Sequence, residues 1–359
     1  MFRGNPRQTG VAVSSLPQPL QVVWKHTFPE AITSTAAVVE GVVYVGCEDA
    51  FLYALDLIAG EVKWKYEARD LIQSSPTVVG DTVVFGDSEG VVHAVDARSG
   101  QGRWTFATDG EVIASANYAA GRVFVGSYSG SLFCLSLMDG ALVWKFETQG
   151  RIHGSAALVD GFVVVAGCDS GLHVLNAADG KEVAEIPLGS VSGASAALKG
   201  SRVYVGTYGN RVLGIDRNEK KVLWSFEDPE RDFPFMSSAA VTEELVLIGG
   251  RDKYLRALDP ETGALRWSFV AKGRIDSSPV VVGQRVFVGA SDGNLYELAL
   301  ETGQEQWRFE AGAPITASPA VAQERLLIGA HDGVLYCFGS GSRPPEPGRS
   351  PPAEADKAP

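Results

Sequence analysis

Several things are scarce in this chain of 359 residues, and each scarcity excludes something. Basic residues are outnumbered, 31 Lys and Arg against 43 Asp and Glu, giving a net charge of −12. A surface this acidic argues against general binding to nucleic acid or anionic lipid, both of which use basic patches. No apolar run approaches the ~20 residues of a membrane-spanning helix; the longest are short, such as Phe162 to Ala166. The opening MFRGNPRQTG lacks the apolar stretch of a secretory signal. There are only 4 cysteines, and Cys47, Cys134, Cys168 and Cys337 are never adjacent and never spaced C-x-x-C. The 5 histidines, His26, His93, His153, His173 and His331, show no ligand spacing either. Neither a metal site nor a cofactor site is therefore expected.

What is abundant is glycine, 41 residues, and a repeat. Trp24, Trp64, Trp104 and Trp144 stand 40 residues apart, the next slot holds Ala184, and Trp224, Trp267 and Trp307 complete the lattice. Four residues before each of these positions after the first comes Gly60, Gly100, Gly140, Gly180, Lys220, Gly263 or Gly303. Eleven residues after each, with a shift at one insertion, comes Thr35, Ser75, Ser115, Ser155, Ser195, Ser238, Ser278 or Ser318. Periods of this length signal repeat architectures. Within a unit the apolar runs are short and rich in β-branched residues, as in SSPTVV (74–79), TVVFG (82–86), VVHAVD (91–96) and GRWTF (102–106). Runs this short, joined by Gly-containing turns, read as antiparallel strands.

Four strands per unit and eight units predict an all-β fold, a single eight-bladed β-propeller. The last unit stops before its Trp strand, and Leu20–Phe28 supplies a fourth strand without its first three. The N-terminal strand is thus expected to close the ring, since closure removes exposed edges. The expected organisation is an N-terminal extension at 1–19, the propeller at 20–339, and a Pro-rich tail at 340–359 whose composition predicts disorder.

The segments ALDLIAGEVKW (54–64), AVDARSGQGRW (94–104) and ALDPETGALRW (257–267) resemble the motif of the quinoprotein (PQQ-like) β-propeller repeat family, which includes BamB-like non-catalytic scaffold propellers. The resemblance implies that Trp24, Trp64, Trp104, Trp144, Trp224, Trp267 and Trp307 dock each blade on the next. It also implies two functional classes. One is a non-catalytic interaction propeller, either a scaffold in a cell-envelope complex or a sensor-type ligand binder. The other is a quinone-dependent oxidoreductase. The enzymes of the family use a disulfide between adjacent cysteines and long insertions around the quinone; this chain has neither, so no enzyme is expected. The opening FRGNPRQTG resembles the stretch that follows the signal peptide in exported members, which favours an extracytoplasmic place, while the lack of a signal keeps the cytoplasm open.

Positions that break the repeat carry the binding expectation. The slot two residues before the recurring hydroxyl reads Thr33, Gln73, Ile113, His153, Gly193, Met236, Asp276 and Thr316, too varied for a core. At this mouth Arg69, Arg151, His153, Arg274 and Asp276 are the polar candidates. The insertion Asp228–Pro234 adds Arg231 and Phe233, with Phe235 next to it. Loops on a rigid scaffold are where binding residues gather. The expected partner is a protein, bound by a monomeric propeller. The recurring acids Asp56, Asp96, Asp216 and Asp259 sit before turns and are expected to bond turn amides rather than form a carboxylate ring.

Overall fold

Strand pairing makes the eight units into eight four-stranded antiparallel sheets in a computed structural model that describes residues 2–341. Nearly all of the expected tail lies outside the described residues. From the centre outward, blade 2 consists of Thr77–Val79, Thr82–Gly86, Val91–Asp96 and Gly102–Ala107. Its second strand is buried throughout and its third nearly so, because each face packs on a neighbouring blade, whereas the outer strand alternates with solvent. This is why the middle strands read as continuous apolar runs.

The innermost strands pair over fewer residues than the sequence predicts, Thr77–Val79 rather than 74–79. A side chain substitutes for the ladder at the other end. The Ser74 hydroxyl donates to Gly86 O and accepts from Gly86 N–H, both at 2.8 Å. Ser34 does the same with Gly46 and Ser237 with Gly249.

The freed backbone then bonds sideways, from blade to blade. Thr35 N–H donates to Ser75 Oγ (3.0 Å), Ser75 to Ser115 (2.9 Å), Ser115 to Ser155 (2.9 Å) and Ser155 to Ser195 (2.8 Å). Ser195 donates to Ser238 (3.0 Å), Ser238 to Ser278 (2.9 Å), Ser278 to Ser318 (3.0 Å), and Ser318 to Thr35 Oγ1 (3.3 Å). The recurring hydroxyl is therefore a closed ring of hydrogen bonds around the central channel. The N-terminal strand completes the last blade as its outer strand. Gln21–Thr27 pairs antiparallel with Val334–Gly339, from Gln21 opposite Gly339 to Thr27 opposite Val334.

At the periphery the tryptophans span the blade interfaces. Trp24 Nε1 donates to Leu57 O (2.8 Å), Trp64 to Ala97 O (3.1 Å), Trp104 to Leu137 O (2.9 Å) and Trp144 to Ala177 O (3.1 Å). Trp224 and Trp267 do likewise with Pro260 O and Leu300 O. Trp307 faces the blade that the chain ends share and packs on Phe338. Each bonded ring also lies over the turn glycine of the next blade. A Cβ on Gly60, Gly100, Gly140 or Gly180 would meet a Trp ring at 2.6 Å. The glycine is thus demanded twice, by its positive φ and by the ring above it.

This explains both exceptions to the lattice as one. Lys220, the turn residue that is not glycine, belongs to the blade facing Ala184, the slot that is not tryptophan. With no ring above it, a side chain fits at φ +56°, and Lys220 Nζ donates to Val183 O at 3.0 Å. Asp56, Asp96, Asp216 and Asp259 accept from the turn amides of their hairpins, two bonds each.

Trp104→Ala is expected to cost about 3–5 kcal/mol in denaturant unfolding. Ala184→Trp alone should also destabilise, because Lys220 fills the docking place, and adding Lys220→Gly should recover most of that loss. Additive single and double effects in this cycle would show that the two positions are uncoupled.

Candidate functional site

The antiparallel order puts the blade-to-blade connections and the second-to-third-strand turns at one end of the channel, the mouth. The other hairpins lie at the opposite end, the floor. From the mouth inward, the channel is a cup of about 150 Å³. Its wall is two rings of eight: the varied slot from Thr33 to Thr316, then the hydroxyl ring from Thr35 to Ser318. Phe2, from the N-terminal segment, forms its base.

Above the varied slot stands a second ring that the sequence reading missed: Glu48, Ser88, Tyr128, Cys168, Tyr208, Arg251, Ser291 and His331, at the turn between second and third strands. The two rings bond to each other. Glu48 accepts from Thr33 Oγ1 and from Gln73 Nε2, both at 2.9 Å. Thr316 Oγ1 lies 2.8 Å from His331 Nε2, and Tyr128 Oη lies 2.5 Å from His153 Nδ1. Arg251 Nε donates to Asp276 Oδ1 at 2.8 Å, and Arg274 Nε lies 3.0 Å from Asp276 Oδ2. Asp276 is thus held between two guanidinium groups, its own side chain 14% exposed while that of Arg274 is 52% exposed. The missed ring keeps the same step and varies just as much, which is the signal that would have found it.

The structure brings together some of the expected rim residues and separates others. Arg151 lies over the Tyr128 ring at 5.1 Å, next to His153. Tyr208, 40% exposed, and Met236 flank Gly193, where a Cβ would meet both. Arg69 is exposed on the connection into blade 2, its N–H donating to Asp87. In the insertion, Phe233 is 49% exposed, and Arg231 covers the Tyr254 ring at 4.7 Å beside Asp228.

Phe235 is not a rim residue. It is 1% exposed, lies edge-on to Phe226 within the buried cluster that also holds Tyr204, Trp224 and Ile248, and occupies the slot that holds Ile72 in blade 2. The repeat resumes one residue earlier than the insertion's aromatic character suggests, and a Cβ on Gly206 would sit 2.7 Å from Phe235 Cβ. Beneath it the buried Arg256 guanidinium bonds Asp252 and Asp228, the latter at 2.5 Å, and this ties the start of the insertion to blade 6. Removing either acid would leave a buried charge uncompensated.

A quinone and its calcium find no matching residues in this cup. Ligand pockets for organic molecules run to about 300–1,000 Å³, and this smaller one is walled half by the hydroxyl ring, with Asp276 as the only carboxylate in its lining. Among the described residues no three His, Cys, Asp or Glu side chains converge as metal ligands. Burial pushes the thiols of Cys47 and Cys337 up to about 12, so they are poor nucleophiles.

Comparisons with known proteins place these features in context. The family model described as outer membrane protein assembly factor BamB matches residues 17–111, 88–232 and 221–342. Among solved structures, BamB from Moraxella catarrhalis superposes with a TM-score of 0.76 at 21% identity, covering 89% of this chain and 99% of that one. The quinohemoprotein alcohol dehydrogenase of Comamonas testosteroni superposes at 0.79 with 15% identity, covering 94% of this chain and 80% of that one. Both likenesses are likenesses of fold. The quinohemoprotein alcohol dehydrogenase ADH IIB of Pseudomonas putida is 33% identical over 81 residues, which is 20% of this chain and only 12% of that enzyme.

Burial, and then the Arg251 charge, lower the His153 pKa below the usual 6.5. The neutral ring therefore supports the fold fully above pH 6.5, and this support is lost as pH falls through the lowered value. In an NMR titration the His153 ring should titrate below 6.5, and His153→Gln should flatten the fall of melting temperature with acid. A ring titrating at or above 6.5 would contradict this geometry.

Proposed function

Since this chain belongs to the family of the outer membrane protein assembly factor BamB, we propose that it is a non-catalytic interaction scaffold whose protein partner seats on the propeller mouth. The observation that carries the reading is the composition of that mouth. Core slots repeat almost unchanged from blade to blade, while both mouth rings vary around the circle, and Tyr128, Tyr208 and Arg251 of the second ring stand with the neighbouring Arg151 and Arg274 over blades 3–7. Exposed Phe233, Tyr208 and Arg274 are the residue types that anchor interfaces. Arg151 and Arg274 would bind acidic or backbone carbonyl groups of an extended partner segment through charge-assisted bonds. The working place of such a scaffold is an outer-membrane assembly complex of the cell envelope, outside the cytoplasm, with the propeller itself monomeric.

Quinone-dependent oxidation is the competing reading, and the poor fit of the cup to a quinone speaks against it. Incubation with the quinone and calcium should give no dye-linked alcohol oxidation; turnover would overturn the scaffold reading.

The partner test compares wild type with a Phe233→Ala, Arg151→Ala, Arg274→Ala variant, each purified from the source organism with its outer-membrane assembly components. Wild type should retain those components, and the variant should lose them at an unchanged melting temperature. Retention by the variant would move the partner off the mouth, and no retention by wild type would remove the scaffold reading.

A further inference from the structure

The floor of the channel is closed by the N-terminal segment. Residues 3–10 form a loop braced from within. Gly10 N–H donates to Arg3 O (3.2 Å), Gln8 N–H to Asn5 O (3.0 Å), and Asn5 Nδ2 to Thr9 Oγ1 (2.6 Å). Outward, the loop presents carbonyls. Those of Pro6, Arg7, Thr9 and Gly10 accept from the backbone N–H groups of Leu158, Leu198, Val241 and Val281, at 2.8–2.9 Å. These four amides hold one repeat position in four consecutive blades, on the innermost strands, whose free edge faces the channel.

One side chain locks the loop. The buried Arg3 guanidinium donates to Pro279 O (2.7 Å), Ala239 O (2.8 Å) and Ser238 O (3.4 Å), a cage of backbone carbonyls. It lies so close over Gly10 that a Cβ there would be 2.1 Å from Arg3 Nη2. Beside the loop a groove of about 500 Å³ remains, lined by Pro6, Leu158, Val159 and Phe162 among others.

We propose that the floor of the channel is a peptide-binding site for an arginine-anchored loop, filled by the chain's own residues 2–14 as an exchangeable occupant, and able to take the same segment from a second copy. Apart from Asn117, whose Nδ2 also donates to Pro6 O at 2.8 Å, the receptor side of these bonds is main chain: amides reading carbonyls, and carbonyls reading one guanidinium. Such a site recognises backbone shape and a single cation, as strand-edge peptide sites do. The loop's internal bonds let it keep that shape when it is not seated, which lowers the ordering cost of binding. Its departure would also carry Phe2 out of the cup, and so join the mouth to the floor.

The test uses full-length Arg3→Met and Gly10→Ala chains and a fluorescent synthetic peptide of residues 1–15. Arg3→Met removes the anchor, Gly10→Ala obstructs its seat with a Cβ, and both leave the carbonyl cage intact. Hydrogen exchange at Leu158, Leu198, Val241 and Val281 should quicken in both, while the ring amides of Ser115 and Ser155 stay protected. The peptide should bind both variants saturably, about tenfold or more tighter than wild type, whose site is filled. It should restore protection at the four amides, and an Arg3→Met peptide should do neither. Absence of peptide binding would overturn the proposal. So would loss of protection at the ring amides in both variants, because the loop would then be an integral part of the fold rather than a ligand.

Discussion

Everything at the centre of this molecule depends on where the first residues of each innermost strand send their hydrogen bonds. The strand has no neighbour on its channel side, so its N–H groups would face a narrow space with no ladder partner, and unpaired buried amides are costly, about 1–3 kcal/mol each. A hydroxyl at one repeat position resolves this eight times over. Each ring residue takes a bond from the blade before and gives its own N–H to the blade after. Because the bonds run around the circle, no blade satisfies its own groups, and the count of blades becomes part of the chemistry. The last link, Ser318 to Thr35, joins the final unit to the first.

The outer circumference uses a different currency of contact for the same end. There the indole N–H reaches a carbonyl of the next blade and the ring covers a glycine. Ring and tryptophan together hold blades at both radii, which leaves the mouth slots free of any packing duty. That freedom is the physical reason they vary. A scaffold whose rigidity comes from the repeat can change its mouth residues one blade at a time without loss of fold.

The mouth is nevertheless ordered. Asp276 between Arg251 and Arg274, and His153 against Tyr128, are fixed by one another rather than by the blades beneath. A preset arrangement of this kind has less side-chain entropy to lose on binding. The acid at Glu48 and the guanidinium groups over blades 4, 6 and 7 also give the mouth two unlike sides, so a partner would be oriented as well as held.

The repeat by itself determined the number of blades and the strand that closes the ring, because both follow from a fixed step in sequence, while the blade-docking role of the tryptophans came from the family resemblance. It also showed where variation begins. Three matters were decided only in three dimensions. Phe235 looked like part of an exposed insertion, yet the chain re-enters its repeat at that residue, and only packing against Gly206 shows it. Tyr128, Tyr208 and Arg251 sit on turns far from the varied slot in sequence, and become its neighbours only because a hairpin folds them over it. Residues 2–14 have no period at all; most of their hydrogen-bond partners are backbone groups, which carry no side-chain signature, and their place in the channel exists only once four blades stand side by side.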